Sequence, residues 1–504
     1  MLSRRSLLRA GGGVTAAAVA LGAAPASAGH RTEWDRLRGR VQGDVVLPSD
    51  AGYDTAKQLQ IAEYDSANPR AVVYCETESD VRTCVLFSQY NGIPVRIRSG
   101  GHNLAGWSTG DGLVIDLSRM SHVRVGSRTV HAGPGTQSVD AMRRLEPYNK
   151  QFATGTCPTV CLGGFVSGGG VGWQTRKFGL GADRIVSARV ALADGRVVRC
   201  SATEEPDLFW AVRGGGGGNF GVVVDFEVLP IEAPTMVMYS TAWSWDQAPE
   251  VLTAWQEWTT SAAKDLGSSL LVVPPNDSGS GAPLLRIFGG HYGTQAALDG
   301  ALDELAERVG ATPMQRSANL MPFATAMKTA YGCGELTAEQ CQRAGTNPDA
   351  VLPRTPYQRQ EYRLTNRTTT NSQAAALLSA WDSHRSLKHR YLQVIALGGA
   401  ASEVRPEDSA FFHRDARFLV GYQVGLDSAA PPAEERADVD AWTGGGASAL
   451  EPVASGSYIN FPTTRLVTGW GADNYGANYA RLRRVKTAYD PTGFFRHPRS
   501  IGSG

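Results

Sequence analysis

Two residues able to form covalent bonds sit in unusual company. His102 lies in Arg98-Ser99-Gly100-Gly101-His102-Asn103, directly after a β-branched run. Cys157 lies in Gly155-Thr156-Cys157-Pro158-Thr159-Val160-Cys161-Leu162-Gly163-Gly164-Phe165, which runs on through Val166-Ser167-Gly168-Gly169-Gly170-Val171-Gly172. A third cluster spans Gly214 to Gly218 with Asn219-Phe220-Gly221-Val222. Consecutive glycines let several backbone N–H groups point at one anion, so a pyrophosphate can be held without lysine. Three such loops on one strand scaffold predict a large phosphate-bearing cofactor. Its expected contacts are Arg98, Ser99, Gly100, Gly101 and Asn103 from the first loop. Thr156, Val160, Gly163, Gly164, Gly168, Gly169 and Gly172 come from the second, and Gly221 and Val222 from the third. A histidine in one loop and a cysteine in another can both reach one flat ring only if the loops converge.

The elements that must bring them together read as α+β. Ala71-Val72-Val73-Tyr74 predicts a strand, Ser79 to Tyr90 a capped helix, and Val95 to Arg98 a second strand. Strands are also expected at Leu113 to Leu117, Thr129 to Ala132, Ile185 to Leu192, Arg196 to Arg199 and Gly221 to Leu229, with a hairpin turn at Ala193-Asp194-Gly195. After Pro230 the glycine clusters stop and Trp243, Trp245, Trp255 and Trp258 crowd together. Helix Ala296 to Val309 and strands at Leu284 to Phe288, Tyr391 to Leu397 and Arg417 to Leu426 predict a second unit, a sheet backed by helices. Its strands carry Tyr391, Gln393, Tyr422 and Gln423, and His413 is nearby in sequence; Tyr391 and Gln423 are the candidates there for direct action on a substrate. The tryptophans read as core. The last fifty residues read as loop-rich.

Other chemistries fit less well. The glycine runs lack the Gly-Lys-Ser/Thr of a phosphate-binding loop, and no well-placed βαβ unit supports a nicotinamide site. Gly106-Trp107-Ser108-Thr109-Gly110 matches a nucleophile elbow in letters but precedes a strand where that motif needs a helix. No histidine pair has helical metal-ligand spacing and no CxxC motif occurs, so no metal is expected. With 49 basic residues against 48 acidic ones, the net charge of +1 gives no field to recruit nucleic acid or anionic lipid.

Arg-Ser-Gly-Gly-His, Cys-Pro-Thr-Val with its glycine run, Arg176-Lys177-Phe178-Gly179-Leu180-Gly181-Ala182-Asp183, and Tyr475-Gly-Ala-Asn478-Tyr479 with Tyr489-Asp490-Pro491 together resemble the berberine-bridge-enzyme-like oxidases. These are a branch of the vanillyl-alcohol-oxidase flavoproteins. The resemblance is close over residues 60 to 230, good from Tyr458 to Ile501 and looser between. It implies a two-part PCMH-type FAD-binding domain plus a substrate domain with an antiparallel sheet backed by helices. The implied boundaries are 29–230 for the FAD-binding domain, 231–450 for the substrate domain and 451–504 for a tail that returns to the first. It further implies one FAD attached covalently, through 8α to His102 and through C6 to Cys157. Tyr458, in Tyr458-Ile459-Asn460-Phe461-Pro462, would be a base or a residue packed on the ring, and Asn460 a cofactor contact. The small Val160 resembles the oxygen-permitting version of the family.

Two positions depart from the pattern. Cys161 stands where glycine is usual and is a second candidate for the thioether, although the Cys-Pro-Thr-Val context favours Cys157. Phe165 stands where histidine is usual, which should change loop packing more than chemistry. Gly421 falls about where some relatives carry Glu or Gln, which puts a carboxylate base in doubt.

The amino terminus adds a location. Ser3-Arg4-Arg5-Ser6-Leu7-Leu8, a short Ala/Gly-rich run and Ala26-Ser27-Ala28 resemble a twin-arginine export signal over residues 1–28, which places the mature chain outside the cytoplasm or at the cell envelope without stable membrane insertion. Of seven cysteines, Cys333 and Cys341 could pair locally, while Cys75, Cys84, Cys161 and Cys200 read as buried thiols. The function expected is an oxidase that takes two electrons from an alcohol, amine or activated C–H of a secreted natural product and passes them to dioxygen, releasing hydrogen peroxide. The chain would work as a monomer or homodimer. A carbohydrate oxidase is an alternative, and so is a flavin-containing protein that sequesters a drug without turning it over.

Overall fold

The computed structural model describes residues 32–275, 281–463 and 468–502, so the expected export signal lies outside the described residues. A first sheet has the strand order Val45–Val46, Ala71–Tyr74, Leu113–Asp116, Val95–Arg98, and its last three strands are mutually parallel. Helix Glu78–Tyr90 connects two of them. Thr77 and Asp80 form a reciprocal capping box at its start, and Val81, Cys84 and Val85 press against the sheet. A βαβ unit therefore exists, though not one placed for a nicotinamide site. Its strand-to-helix turn is Cys75-Glu76-Thr77, without the glycines a Rossmann-type nicotinamide site would need at that turn, and Leu113–Asp116 is inserted between its strands.

A second, antiparallel sheet runs Val123–Val125, Val130–Ala132, Val222–Val228, Ile185–Ala191, Val197–Ser201. The two sheets share one apolar layer, in which Ala191, Val222 and Val224 pack with Val73, Val85 and Ile115. The glycine loops leave this double scaffold.

The third sheet has seven antiparallel strands, ordered Gln315–Pro322, Thr235–Ser244, Leu284–His291, Leu266–Val273, His389–Ala396, Phe418–Leu426, Tyr357–Thr365. Helices Ala248–Ser261, Gln295–Val309, Asn371–Asp382 and Ala433–Leu450 cover one face. Trp243, Trp255, Trp258, Trp381 and Trp442 are all buried there, so the tryptophan-rich stretch is core. The opposite face is turned toward the glycine loops, as shown by Gln360 Nε2 donating to Leu104 O (3.3 Å) and Trp173 Nε1 donating to Ser269 Oγ (3.3 Å). Arg176 donates to Leu397 O and Ala262 O, and Arg414 holds Asp183 bidentately at 2.7 and 2.8 Å.

The tail is loop-rich as expected but also holds two helices, Trp470–Tyr475 and Tyr479–Tyr489. The second buries only Leu482, Val485 and the stem of Lys486, too few apolar positions to show a helical period in the sequence. Lys486 Nζ donates to Asn219 O, Phe495 O and Asp490, and Tyr475 OH donates to Gly215 O, so the tail supports the third glycine cluster.

Cys333 and Cys341 are disulfide-bonded, and the other five cysteines are free. Directly after the closed loop, Gln342 Nε2 donates to Asp140 Oδ1 (3.2 Å) and Arg343 to Gln58 O (3.3 Å). Replacing both cysteines by serine removes a short-loop constraint worth about 2–3 kcal/mol. We expect a lower midpoint in denaturant and faster proteolysis around residues 333–349; an unchanged midpoint would mean that the segment is held by packing alone.

Candidate active site

His102 and Cys157 converge on one hydroxyl. His102 Nε2 is 2.7 Å from Thr159 Oγ1, and Cys157 Sγ is 3.8 Å from the same oxygen. Both side chains are half-buried, so each keeps an open side. Burial and the neighbouring Arg343 cation lower His102 to about 4, which keeps the imidazole neutral over the working pH range. Burial raises the Cys157 thiol, opposed by hydrogen bonds from the Thr159 and Val160 backbone and the Thr159 hydroxyl. Cys161 is placed differently. Its sulfur is buried against Gly135 O at 3.3 Å, and desolvation pushes its thiol strongly up. It faces the protein, which removes it as a competitor for Cys157.

The first loop offers an anion nest. Among the described residues, the backbone N–H groups of Ser99, Gly100, Gly101, His102 and Asn103 find no protein acceptor, and Gly101 takes φ +71 to turn them. Asn103 shapes this loop, its Oδ1 accepting from Ala105 N and Trp107 N. Arg98 stands apart from the anion: its guanidinium is spent on Asp116, Ala56 O and Lys57 O, so its part is to anchor the strand. The second loop explains most of its glycines by close packing on other loops. A β-carbon on Gly100 would fall 2.8 Å from Cys161 Sγ, one on Gly163 2.5 Å from Ser99 Oγ, one on Gly168 2.1 Å from Asn460 Oδ1 and one on Gly172 2.0 Å from Thr154 O. Gly164 alone of this group faces open space, and Thr156 is exposed. Gly169 packs on Phe411, Gly221 on Ala191 O, and the Val222 side chain is core. The Phe165 ring fills the space over Gly170 and Gly181, a packing role.

Several buried polar atoms on the segments that adjoin these loops have no partner: Ser108 Oγ, Thr109 Oγ1, Gln137 Oε1 and both amide atoms of Gln174. Leaving so many desolvated groups unpaired is costly unless a ligand satisfies them. These features fit a dinucleotide with a flat ring, whose pyrophosphate the nest would take. Ser108 lies in the turn ahead of strand Leu113–Asp116, with no helix after it, so the elbow reading fails. Among the described residues no His/Cys/Asp/Glu group is arranged to hold a metal, and no helix is long and apolar enough to cross a membrane.

Tyr458 is buried at the join of the two halves. Gly170 N (2.8 Å) and Asn460 Nδ2 (3.0 Å) both donate to its phenolic oxygen, and Asn460 also reaches Phe165 O at 3.0 Å. Two donors on one oxygen leave its proton to point elsewhere and stabilise the phenolate, although burial wins and lifts the group to about 12. Phe461 stacks on the Tyr458 ring at 5.8 Å and meets Tyr362 edge-on at 4.8 Å.

Beyond Tyr362 runs a polar track across three strands. Cross-strand register puts Gln393, Gly421 and Tyr362 in one row, then Tyr391, Gln423 and Gln360 in the next. Tyr362 OH donates to Gln393 Oε1 (2.8 Å), Gln423 Nε2 donates to Gln358 Oε1 (3.1 Å) and to Tyr391 OH, and Gln358 Nε2 donates to Gln360 Oε1 (3.1 Å). Gly421 is glycine because the Tyr362 ring lies where its β-carbon would be, at 2.1 Å. A phenol therefore fills the place where a carboxylate was in question. A cavity of about 340 Å³ lies past Tyr391, lined by Pro275, Arg385, Lys388 and His389.

Of the sequence candidates, Tyr391, Gln393 and Gln423 share this face, while Tyr422 and His413 do not. Tyr422 OH donates to Leu377 O on the helix side, since adjacent strand residues face opposite ways, and His413 Nε2 contacts Asp473 O in the tail. Gln358, Gln360 and Tyr362 were not anticipated, yet they alternate in Tyr357–Thr365 with the period of a strand. Thr159 and Arg343 are also new, and only the fold brings them to His102.

Comparison with known proteins adds the family context. Residues 69–201 match the model of an FAD binding domain, and residues 457–502 match the model described as berberine and berberine like. An FAD-linked oxidoreductase of Bacillus subtilis, YgaK, is 29% identical over 92% of this chain and 97% of its own. The chitooligosaccharide oxidase of Gibberella zeae is 30% identical over 86% of this chain and 87% of its own. The glucooligosaccharide oxidase of Acremonium strictum, whose FAD is 6-S-cysteinyl, 8α-N1-histidyl, superposes with a TM-score of 0.83 at 23% identity, covering 93% of this chain and 99% of that one.

Proposed function

This chain belongs to the berberine-bridge-enzyme-like family of FAD-linked oxidoreductases, and we propose that it is an exported oxidase acting on a hydroxyl group of a polyhydroxylated small molecule, with its FAD tethered by His102 and Cys157. When bound, FAD supplies a two-electron acceptor that dioxygen can reoxidise, giving hydrogen peroxide. The protein supplies position and a proton acceptor. The polar track is the observation that carries the substrate reading: Gln358, Gln360, Gln393, Gln423, Tyr362 and Tyr391 offer amide and phenol groups on one face and no carboxylate. Neutral donors and acceptors spaced about 7 Å apart along a strand match a chain of hydroxyls better than an amine, which would favour a carboxylate partner. Tyr458 takes the proton of the hydroxyl that reaches the ring, while Phe411 and Phe461 exclude water around it.

Peroxide release from purified protein, screened against oligosaccharides, aromatic alcohols and alkaloid-like amines, tests this reading. Oligosaccharides or glycosylated alcohols should be the best substrates, and Gln423→Leu should raise their KM about tenfold with a smaller change in kcat, from loss of one or two hydrogen bonds. Preference for an uncharged aromatic amine, unaffected by Gln423→Leu, would sink it. Stopped-flow mixing separates turnover from sequestration: a substrate bleaches the flavin band, and a merely stored ligand shifts it.

A further inference from the structure

Thr159 touches both attachment residues, and nothing above assigns it a task. Its Oγ1 is 2.7 Å from His102 Nε2 and 3.8 Å from Cys157 Sγ, and the residue is itself buried. A threonine hydroxyl has one proton to give and can accept another. If His102 Nε2–H donates to Oγ1, the Nδ1 lone pair is left free and the threonine proton is released toward sulfur. The Thr159 and Val160 backbone groups already face that sulfur. The opposite direction would put a proton on Nδ1 and leave the sulfur without its hydroxyl donor. One hydroxyl therefore sets both nucleophiles at once, and the Arg343 cation beside His102 discourages a second proton on the imidazole.

We propose that Thr159 is a shared positioning residue for flavin attachment, fixing the Nε2–H tautomer of His102 and donating to the Cys157 sulfur. This rests on the two-tether reading above. Each attachment replaces one N–H or S–H bond and one flavin C–H bond by a new N–C or S–C bond. The two electrons and two protons set free reduce one dioxygen to hydrogen peroxide.

The test reads attachment, not turnover. Apoprotein of the wild type, Thr159→Val and Thr159→Ser is mixed with FAD in air, denatured at intervals and weighed intact, with His102→Ala and Cys157→Ala as single-tether references. Valine keeps the shape and loses the hydroxyl, so attachment at both positions should slow about tenfold or more. Serine keeps the hydroxyl and should attach within about twofold of wild type. Wild-type kinetics in Thr159→Val overturn the proposal, as does a Thr159→Ser protein that folds and does not attach. Slowing at only one position overturns the shared role. A wild type that releases its flavin on denaturation overturns the two-tether reading, and the proposal with it.

Discussion

Tyr458→Phe should lower kcat about a thousandfold while leaving the flavin in place. The substitution removes one oxygen from a buried residue and keeps the ring between Phe411 and Phe461. General-base catalysis is worth about 10²–10⁴ in rate. Gly170 N–H and Asn460 Nδ2 would lose their shared acceptor, a further reason for the loss to be large. The pH dependence follows from the direction of the shift. Burial raises Tyr458 to about 12, and only the phenolate accepts a proton. Below that value the phenolate fraction grows tenfold per unit, so kcat/KM should climb with pH between about 6 and 9 and flatten in Tyr458→Phe. A phenylalanine variant within tenfold of wild type, with the same pH slope, would move the base elsewhere on the track, Tyr391 first. The flavin spectrum of the variant should remain that of the parent, since no attachment residue is touched.

The strand scaffold was legible because its runs are β-branched and punctuated by glycine, and the convergence of His102 and Cys157 because their loops are distinctive. What the sequence hid has three physical sources. The glycines of the second loop read as ligand contacts, yet Gly163, Gly168 and Gly172 are small because Ser99, Asn460 and Thr154 from other segments press on them; sequence shows the need for a small residue, not what stands opposite. Arg98 reads as a phosphate ligand but is neutralised by Asp116, a partner supplied by the neighbouring parallel strand. The polar face of the third sheet was half found. Tyr391 and Gln423 lie on it, whereas Tyr422, one residue along, turns into the helix-backed core. Strand period alone cannot say which face is which until the covering helices are placed. The run Gln358-Arg359-Gln360-Glu361-Tyr362 gave little apolar signal, because Gln358 and Gln360, which share its inward face with Tyr362, are polar.

The double substitution His102→Ala, Cys157→Ala should abolish covalent flavin altogether, the largest change expected of any variant. Under the two-tether proposal each bond alone would hold the cofactor through denaturation, so the single variants should each keep the FAD mass and only the pair should shed it. That pattern follows from geometry: the two side chains approach Thr159 Oγ1 from different loops, and neither depends on the other to stay in place. Cys161→Ala in the wild-type background should change nothing, because its sulfur is buried and points at Gly135 O. Attachment to His102 should also be indifferent to pH down to about 5. With burial and Arg343 lowering the imidazole to about 4, protonation would silence it only as pH falls through that value. Intact-mass measurement after denaturation decides each point: FAD mass kept by the double variant would place the bond on another residue, and mass lost from His102→Ala alone would mean that the thioether does not form in this chain.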